Sequence, residues 1–353
     1  MPKVYIIIIN WNGLTDTLEC LESVFGLDYP VFQVIVVDNG SSDSSVEKIR
    51  MRYPHVILIE SDKNLGFTGG NNLGMRHALE HNADYVWLLN NDTVVESNAL
   101  TRLVDDAETS DDIAAASPVI NCYLDKKRKQ FAGSYVNWAN LQILYPDRMY
   151  KAGDDYRYHG PDVCLWGTAL LIKRKTLEKI GLLDDRYFAY WEDTEYSLRV
   201  IKNGLRNVIS YDSIIYHKSP IDSSSLPKGK HYYYLMLRNR LFIRKEYLFS
   251  FLGCFFFYRD YISNLISTAG SCLQNNEMEK FNACMNGSWH GMKNIYGPMT
   301  DDNPMPKRLA SAFKILSGWH PCFIGNLINC NFSKIFNGLY KKYKGVAGES
   351  NAS

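Results

Sequence analysis

The chain has 353 residues, of which 46% are apolar and 22% charged, with 39 Lys plus Arg against 38 Asp plus Glu. This length and composition predict a packed globular core in one large domain or two medium ones. The near-cancelled charge argues against a strongly basic nucleic-acid binder. The 8 cysteines include no CxxC pair, so neither a zinc ribbon nor a dithiol redox motif is supported. Cys20 and Cys164 lie in apolar stretches and read as small buried hydrophobes of a reducing compartment. The first apolar stretch is too short for a signal-peptide core, and the longest, 247–258, falls short of the roughly 20 residues of a membrane span. The expectation is a cytoplasmic chain, open to peripheral contact with the inner face of the membrane.

Strand and helix patterns alternate through the first 120 residues. Residues 4–9 are a continuous β-branched and aromatic run, as for a strand covered on both faces. Leu14, Leu18, Leu21 and Phe25 follow at helical spacing until Gly26. A second strand at 34–37 ends in Asp38-Asn39-Gly40, and Ser42 can cap a helix carrying Val46 and Ile49. A third strand is expected at 55–59. The glycine-rich turn 64–70 then leads into a helix, and a fourth strand at 85–89 ends in Asn90-Asn91-Asp92. Ser97 opens the next helix. This order specifies a doubly wound α/β sheet whose ligands lie beyond the carboxyl ends of its strands. Asn10-Trp11-Asn12, Asp38-Asn39 and Asn90-Asn91-Asp92 occupy three such ends and should meet in one crevice.

From 121 the pattern weakens. The basic run 126–129 reads as a solvated hairpin tip, and an anionic-lipid contact is the lesser reading. Strands are expected at 166–172 and 207–216, the second ending at His217. Between them the aromatic stretch 187–191 leads into a helix opened by Glu192-Asp193. The Ser- and Pro-rich 219–230 reads as a mobile loop. The rest is helical and aromatic, with a frayed tail at 344–353. A catalytic domain at 1–244 is therefore expected, divided into halves at 1–120 and 121–244, with a helical region at 245–343.

Each candidate site residue has a plainer alternative. Asp92 can hold a hard divalent cation or simply belong to a polar turn. Asp38 suits a ribose or base contact, or an Asx turn with Gly40 and Ser41. The backbone amides around Gly66, Gly69, Gly70 and Asn71 can face an anion at a helix N-terminus, or make a tight connection. Asp193 can take a proton from a sugar hydroxyl or cap its helix, and the helix dipole should lower its pKa. A lone His217 is more often structural than a ligand. With Asp92 it would give a mixed oxygen and imidazole site suited to Mn2+.

Taken together, the segments IIIINWNG (6–13), VVDNGSSD (36–43), NLGFTGGNNLGM (64–75), LLNNDTVV (88–95), WGTALLIKR (166–174), WEDTEYSLR (191–199), HKS (217–219) and YYYLMLRN (232–239) resemble family 2 glycosyltransferases of the GT-A fold. The rhamnosyltransferase-like branch of bacterial surface polysaccharide synthesis is the nearest match, over about residues 3–241. The resemblance implies a GT-A type, Rossmann-like doubly wound mixed sheet with a helical C-terminal extension. It also implies an inverting, metal-dependent transfer of a sugar, rhamnose among the candidates, from a nucleotide diphosphate of the dTDP or UDP type to a glycan or lipid-linked acceptor.

By the same resemblance Asn10 and Asp38 would contact the nucleoside, and Asn12, Asn39, Gly66, Gly69, Gly70, Asn71, Asn90 and Asn91 would also line the donor site. Asp92 and His217 would hold Mn2+ or Mg2+, Asp193 would act as base, and Glu192 would position the acceptor. Gly167 would let substrate approach. Where many members carry a first aspartate this chain has Asn90, which offers an amide oxygen but no negative charge. The membrane spans and QxxRW signature of processive relatives are missing from the sequence, pointing to one or a few sugars per acceptor. Phe249, Phe251, Phe255, Phe256 and Phe257 could lie on a bilayer, pack on the catalytic domain or form a homodimer contact. The rival readings are a sugar-phosphate nucleotidyltransferase, whose basic glycine-rich loop is not seen after the first strand, and a non-catalytic nucleotide-sugar binder.

Overall fold

The structure, a computed structural model, describes residues 1–145, 157, 160–218 and 228–318. Of the loop expected at 219–230, residues 219–227 lie outside the described residues and Lys230 already begins a helix; the region beyond 318, with the expected tail at 344–353, also lies outside them. In chain order the elements are β1 (Val4–Asn10), α1 (Leu14–Val24), β2 (Phe32–Asp38), α2 (Ser45–Arg52), β3 (Ile57–Glu60), α3 (Gly66–Glu80), β4 (Tyr85–Asn90), β5 (Thr93–Val95), α4 (Ala99–Glu108) and β6 (Ile113–Cys122). There follow β7 (Lys129–Phe131), β8 (Ser134–Asn137), β9 (Gln142–Leu144), β10 (Val163–Cys164), β11 (Ala169–Lys173), α5 (Arg174–Ile180), α6 (Glu192–Lys202) and β12 (Arg206–His217). Four helices complete the described chain: α7 (Lys230–Tyr247), α8 (Phe251–Gln274), α9 (Met278–Lys293) and α10 (Lys307–Gly318).

The main sheet runs β3-β2-β1-β4-β11-β6-β12-β5, with β7 paired to β6. Strands β1 to β4 are mutually parallel, whereas β11 is antiparallel to both its neighbours. The sheet is thus mixed, as the family resemblance implied. Order 3-2-1-4 means that the chain reverses direction after β3. Right-handed crossovers then put α1 and α2 on one face and α3 on the other. The reversal lies between β1 and β4, and a crevice opens at their carboxyl ends. Continuous apolar runs make these strands because both faces are covered: Val4, Ile6, Ile7 and Ile8 are all 0% exposed. Burying each such side chain contributes roughly 1.5–3 kcal/mol.

Several boundaries differ from the sequence reading. The third strand begins at Ile57 rather than His55. Ser42 does not cap α2; the amide and hydroxyl of Ser45 are held by Asp43 Oδ1, while Ser42 turns to Asn12. The basic run 126–129 is exposed at the β6–β7 hairpin, as expected. Helix α7 runs through the boundary expected at 244 and packs against α9, and its Leu237 and Leu241 share a core with Tyr187 and Leu198. Phe257 is buried in that core, whereas Phe249, Phe251 and Phe255 are exposed. Among the described residues no helix is long and apolar enough to cross a membrane.

Candidate active site

Three strand ends meet as the sequence pattern requires. Asn10 pairs in register with Asp38, and its neighbour Ile9 with Asn90. The buried Asn10 donates through Nδ2 to Asp38 Oδ1 (2.8 Å) and Ser41 Oγ (3.0 Å), and accepts from Thr17 Oγ1 (2.8 Å). Asn91 Nδ2 closes the network on Thr17 Oγ1 at 3.0 Å. Asp38 Oδ2 accepts the Ser41 amide at 2.9 Å. Asn12, in the left-handed region at φ 52°, accepts from the Ser42 amide at 2.8 Å. These groups fix the floor and one wall of the crevice, with Trp11 standing 56% exposed beside it.

Asp92 lies two residues beyond β4. Its Oδ1 is 3.2 Å from Nε2 of His217, the last residue of β12. His217 Nδ1 is 2.7 Å from Gln130 Oε1 on β7. With that amide oxygen accepting from Nδ1, the ring is held with Nε2 toward Asp92 and the crevice, the orientation that ligating histidines take. Two cis ligands on a cation with bonds of about 2.1 Å stand about 3 Å apart, which matches this pair. Burial raises the Asp92 pKa, but the hydrogen bond and charge of His217 and the charge of Lys218 outweigh it, so the carboxyl falls below its usual range. Among the described residues no cluster of three or more His, Cys, Asp or Glu could hold a metal. Two protein ligands suit Mg2+ or Mn2+ when phosphate oxygens and water complete the shell. Lys218, which the sequence reading passed over, donates its amide to the Asp92 carbonyl (2.9 Å) and its Nζ to Asp16 (2.7 Å) and Glu19 (2.6 Å).

Asp193 reaches the same edge of the sheet by a different route. It is the second residue of α6 and not its cap; Trp191 holds the cap position at φ 71°. Asp193 Oδ2 accepts the Gly167 amide at 3.0 Å and Oδ1 the Thr194 amide at 2.6 Å. The carbonyl of Thr168, next to Gly167, accepts the Asn90 amide at 2.9 Å. A short chain of bonds therefore runs from Asp193 through 167–168 to Asn90, two residues from Asp92. The helix dipole was expected to lower the Asp193 pKa. Burial instead prevails over the amide bonds and raises it. Glu192 is 5% exposed, its Oε2 has no hydrogen-bond partner among the described residues, and burial plus the charge of Asp193 push its carboxyl well above the usual range. The turn delivering this pair holds Phe188, Tyr190 and Trp191 all at positive φ. Such conformations cost about 1–3 kcal/mol each and persist where the surroundings over-determine them.

Helix α3 starts at Gly66, and two of its first amides are held by protein acceptors: Gly66 N–H by Asn64 Oδ1 (2.8 Å) and Thr68 N–H by the Phe188 carbonyl (3.1 Å). Gly66 sits at φ 74°, and a Cβ there would come within 2.3 Å of the Phe188 carbonyl oxygen. Gly69 abuts Leu65, Gly70 abuts Ile9, and Asn71 bonds the Phe67 carbonyl within its own helix. Asn39 likewise spends its side chain on Leu65 N–H, Asn64 and the Gly66 carbonyl. These contacts make the tight connection that the sequence also allowed and build one wall of the crevice. The space beside Gly167 is filled by Phe67 (3.0 Å from a notional Cβ) and by Asp193 itself (3.5 Å), so the missing side chain admits protein atoms there.

A family model described as glycosyl transferase family 2 matches residues 5–181. A low-salt glycan biosynthesis hexosyltransferase of Haloferax volcanii is 25% identical over 259 residues, covering 71% of this chain and 78% of the relative. A galactofuranosyltransferase of Mycolicibacterium smegmatis is 28% identical over 52% of this chain and 61% of its own length. A dTDP-rhamnosyl transferase of Shigella flexneri is 21% identical over 58% and 64%. The chain thus spans less than two thirds of the latter two relatives. Among solved structures, GalNAc-T7 with UDP, GalNAc and Mn2+ aligns with TM-score 0.57 at 16% identity, covering 84% of this chain and 56% of that one. S. aureus TarS aligns with TM-score 0.54 at 13% identity, over 90% and 53%. The likeness places the fold among these glycosyltransferases.

Proposed function

The chain belongs to glycosyl transferase family 2, and from that premise we propose that it transfers a sugar, with inversion, from a nucleotide diphosphate to a hydroxyl of a glycan or lipid-linked acceptor. Glycan biosynthesis is the setting that one relative's name supports, and rhamnose and galactofuranose are the sugars that two others suggest. The observation that carries the reading is the juxtaposition at one sheet edge of the Asp92–His217 pair with Asp193.

The donor's base and ribose would lie over Asn10, Asp38 and the exposed Trp11, with the diphosphate toward Asn90, Asn91 and Asp92. Mn2+ or Mg2+ held by Asp92 and His217 would offset the charge gathering on the departing diphosphate. Asp193 takes the acceptor hydroxyl's proton as its oxygen attacks the anomeric carbon. A carboxylate with an elevated pKa does this better than an ordinary one, provided it stays ionised at the working pH. Glu192, buried beside the Asp193 charge with its Oε2 unpartnered among the described residues, would in its protonated form donate from that oxygen to the acceptor. A single in-line displacement then inverts the anomeric centre without a covalent intermediate. The two carboxyls, placed side by side, act as base and positioning donor respectively.

Thermal stabilisation by UDP, dTDP and GDP, each with and without Mn2+, tests the donor half. One nucleotide should stabilise the chain more with the cation than alone, by an amount that grows with its concentration over its Kd. Equal shifts with all three, unchanged by Mn2+, would remove the reading.

A further inference from the structure

Arg238 and Asn239 sit in the middle of α7, each 0% exposed. A helix position that served packing alone would be apolar, since a buried guanidinium carries a heavy desolvation cost unless every donor is used. Here Asn239 Nδ2 and Arg238 Nη2 converge on one target, the backbone of the turn before α6. Asn239 Nδ2 donates to the carbonyls of Tyr187 (2.9 Å), Ala189 (2.9 Å) and Tyr190 (2.7 Å). Arg238 Nη2 donates to Tyr187 (3.0 Å) and Nη1 to Gly297 (2.5 Å), whose own amide bonds the Arg186 carbonyl (3.2 Å). Arg238 Nε holds Asn239 Oδ1 at 2.8 Å, which fixes the amide with its NH2 toward the turn. From the opposite side, Thr68 binds the Phe188 carbonyl through its amide and hydroxyl.

The turn so gripped is the one with three side-chain-bearing residues at positive φ, and its last residue begins α6 by accepting the Glu195 amide at 2.8 Å. We propose that Arg238 and Asn239 form a positioning clamp that holds the 186–191 turn in its left-handed conformation and so sets where Glu192 and Asp193 stand in the crevice. The clamp touches no substrate; it acts through the two carboxyls. It rests on the reading of Asp193 as the base. Without the clamp the turn relaxes toward ordinary backbone angles, the start of α6 shifts, and the donor side of the crevice, built on β1, β2 and β4, stays as it is.

The test compares Asn239→Ala and Arg238→Lys with a buried control in the neighbouring helices, Ser288→Ala, which removes the 2.8 Å bond from Tyr261. Donor turnover with acceptor, nucleotide Kd in Mn2+, Tm and the pH profile of kcat are measured for each. Asn239→Ala should lose about 10- to 100-fold in kcat, as a displacement of about 1 Å at a reacting group does. Nucleotide Kd should stay within twofold and the acid limb of the profile should move. The control should lose Tm and keep both kcat and the profile. Arg238→Lys, which keeps the charge and loses the fork, should fall between, and carries the test alone if Asn239→Ala does not fold. Hydrogen exchange at amides 189–195 should quicken in the clamp variants and not in the control. If the clamp variants keep kcat and the acid limb while losing Tm like the control, the pair is packing and the proposal falls. Asp193→Asn separates the two ideas. Full activity there removes the base, whereas inactivity there beside full activity in Asn239→Ala removes the clamp alone.

Discussion

Asp193→Asn is the substitution that bears hardest on the mechanism, because it changes charge while keeping shape. Two backbone amides, of Gly167 at 3.0 Å and Thr194 at 2.6 Å, now point at carboxylate oxygens. An asparagine offers one oxygen, so one amide loses its acceptor at a cost of about 1–3 kcal/mol. Against that, the native carboxyl has a raised pKa because of burial. A carboxyl whose folded pKa is raised contributes its full stability below the unfolded value of about 3.9 and loses it as pH rises through the folded value. The amide removes that loss at neutral pH, so the two effects oppose each other. The net change in stability is then small beside the 5–15 kcal/mol typical of a folded chain. Turnover has no such compensation. Loss of a general base lowers it about 10²- to 10⁴-fold, or about 3–5 kcal/mol of barrier. Nucleotide release from the preferred donor, with acceptor and Mn2+, should fall by that factor at unchanged nucleotide affinity and nearly unchanged Tm. The acid limb of the wild-type kcat profile should vanish in the variant. Turnover within twofold of wild type would refute the assignment, since a fold this little disturbed leaves no other account of retained chemistry.

Gln130→Leu removes the acceptor that fixes the His217 ring. It should weaken Mn2+-dependent nucleotide binding about 10- to 100-fold while leaving metal-free binding alone, as read by calorimetry; an unchanged Mn2+ dependence would mean that the ring is oriented otherwise. Glu192→Gln should match wild-type stability near pH 4 and exceed it increasingly as pH rises, because the folded pKa of Glu192 is raised and each unit of elevation is worth about 1.4 kcal/mol. Urea titrations across pH check this, and parallel curves would contradict it. Gly66→Ala should cost about 1–2 kcal/mol from its left-handed backbone alone, with the contact to Phe188 adding to that, and urea unfolding measures it.

Much of the architecture was legible in the chain because period and run length encode which faces are covered. The 4–9 run became a strand buried on both faces, and the polar clusters at 10–12, 38–39 and 90–92 fell at strand ends that the order 3-2-1-4 brings together. Asp92 and His217, named from the sequence, stand 3.2 Å apart, and Asp193 is tied through Gly167 and Thr168 to the end of β4. Element starts were less legible: His55, Ser42 and Ser97 each missed by a residue or more, since local capping chemistry is shared among several adjacent polar residues.

What the sequence by itself determined is the alternation of elements, the direction of the sheet and the identity of the polar residues at its edge, all of them consequences of local side-chain pattern. Tertiary structure alone decided which donors were already spent. Thr68 is spent on a turn 120 residues away in the chain, Asn39 on the 64–66 stretch, Gln130 meets His217 across a separation of 87, and Arg238 with Asn239 grips backbone about 50 residues upstream. A hydrogen bond is satisfied by whichever partner the packed chain brings within 3 Å, and no periodicity in the sequence records that choice.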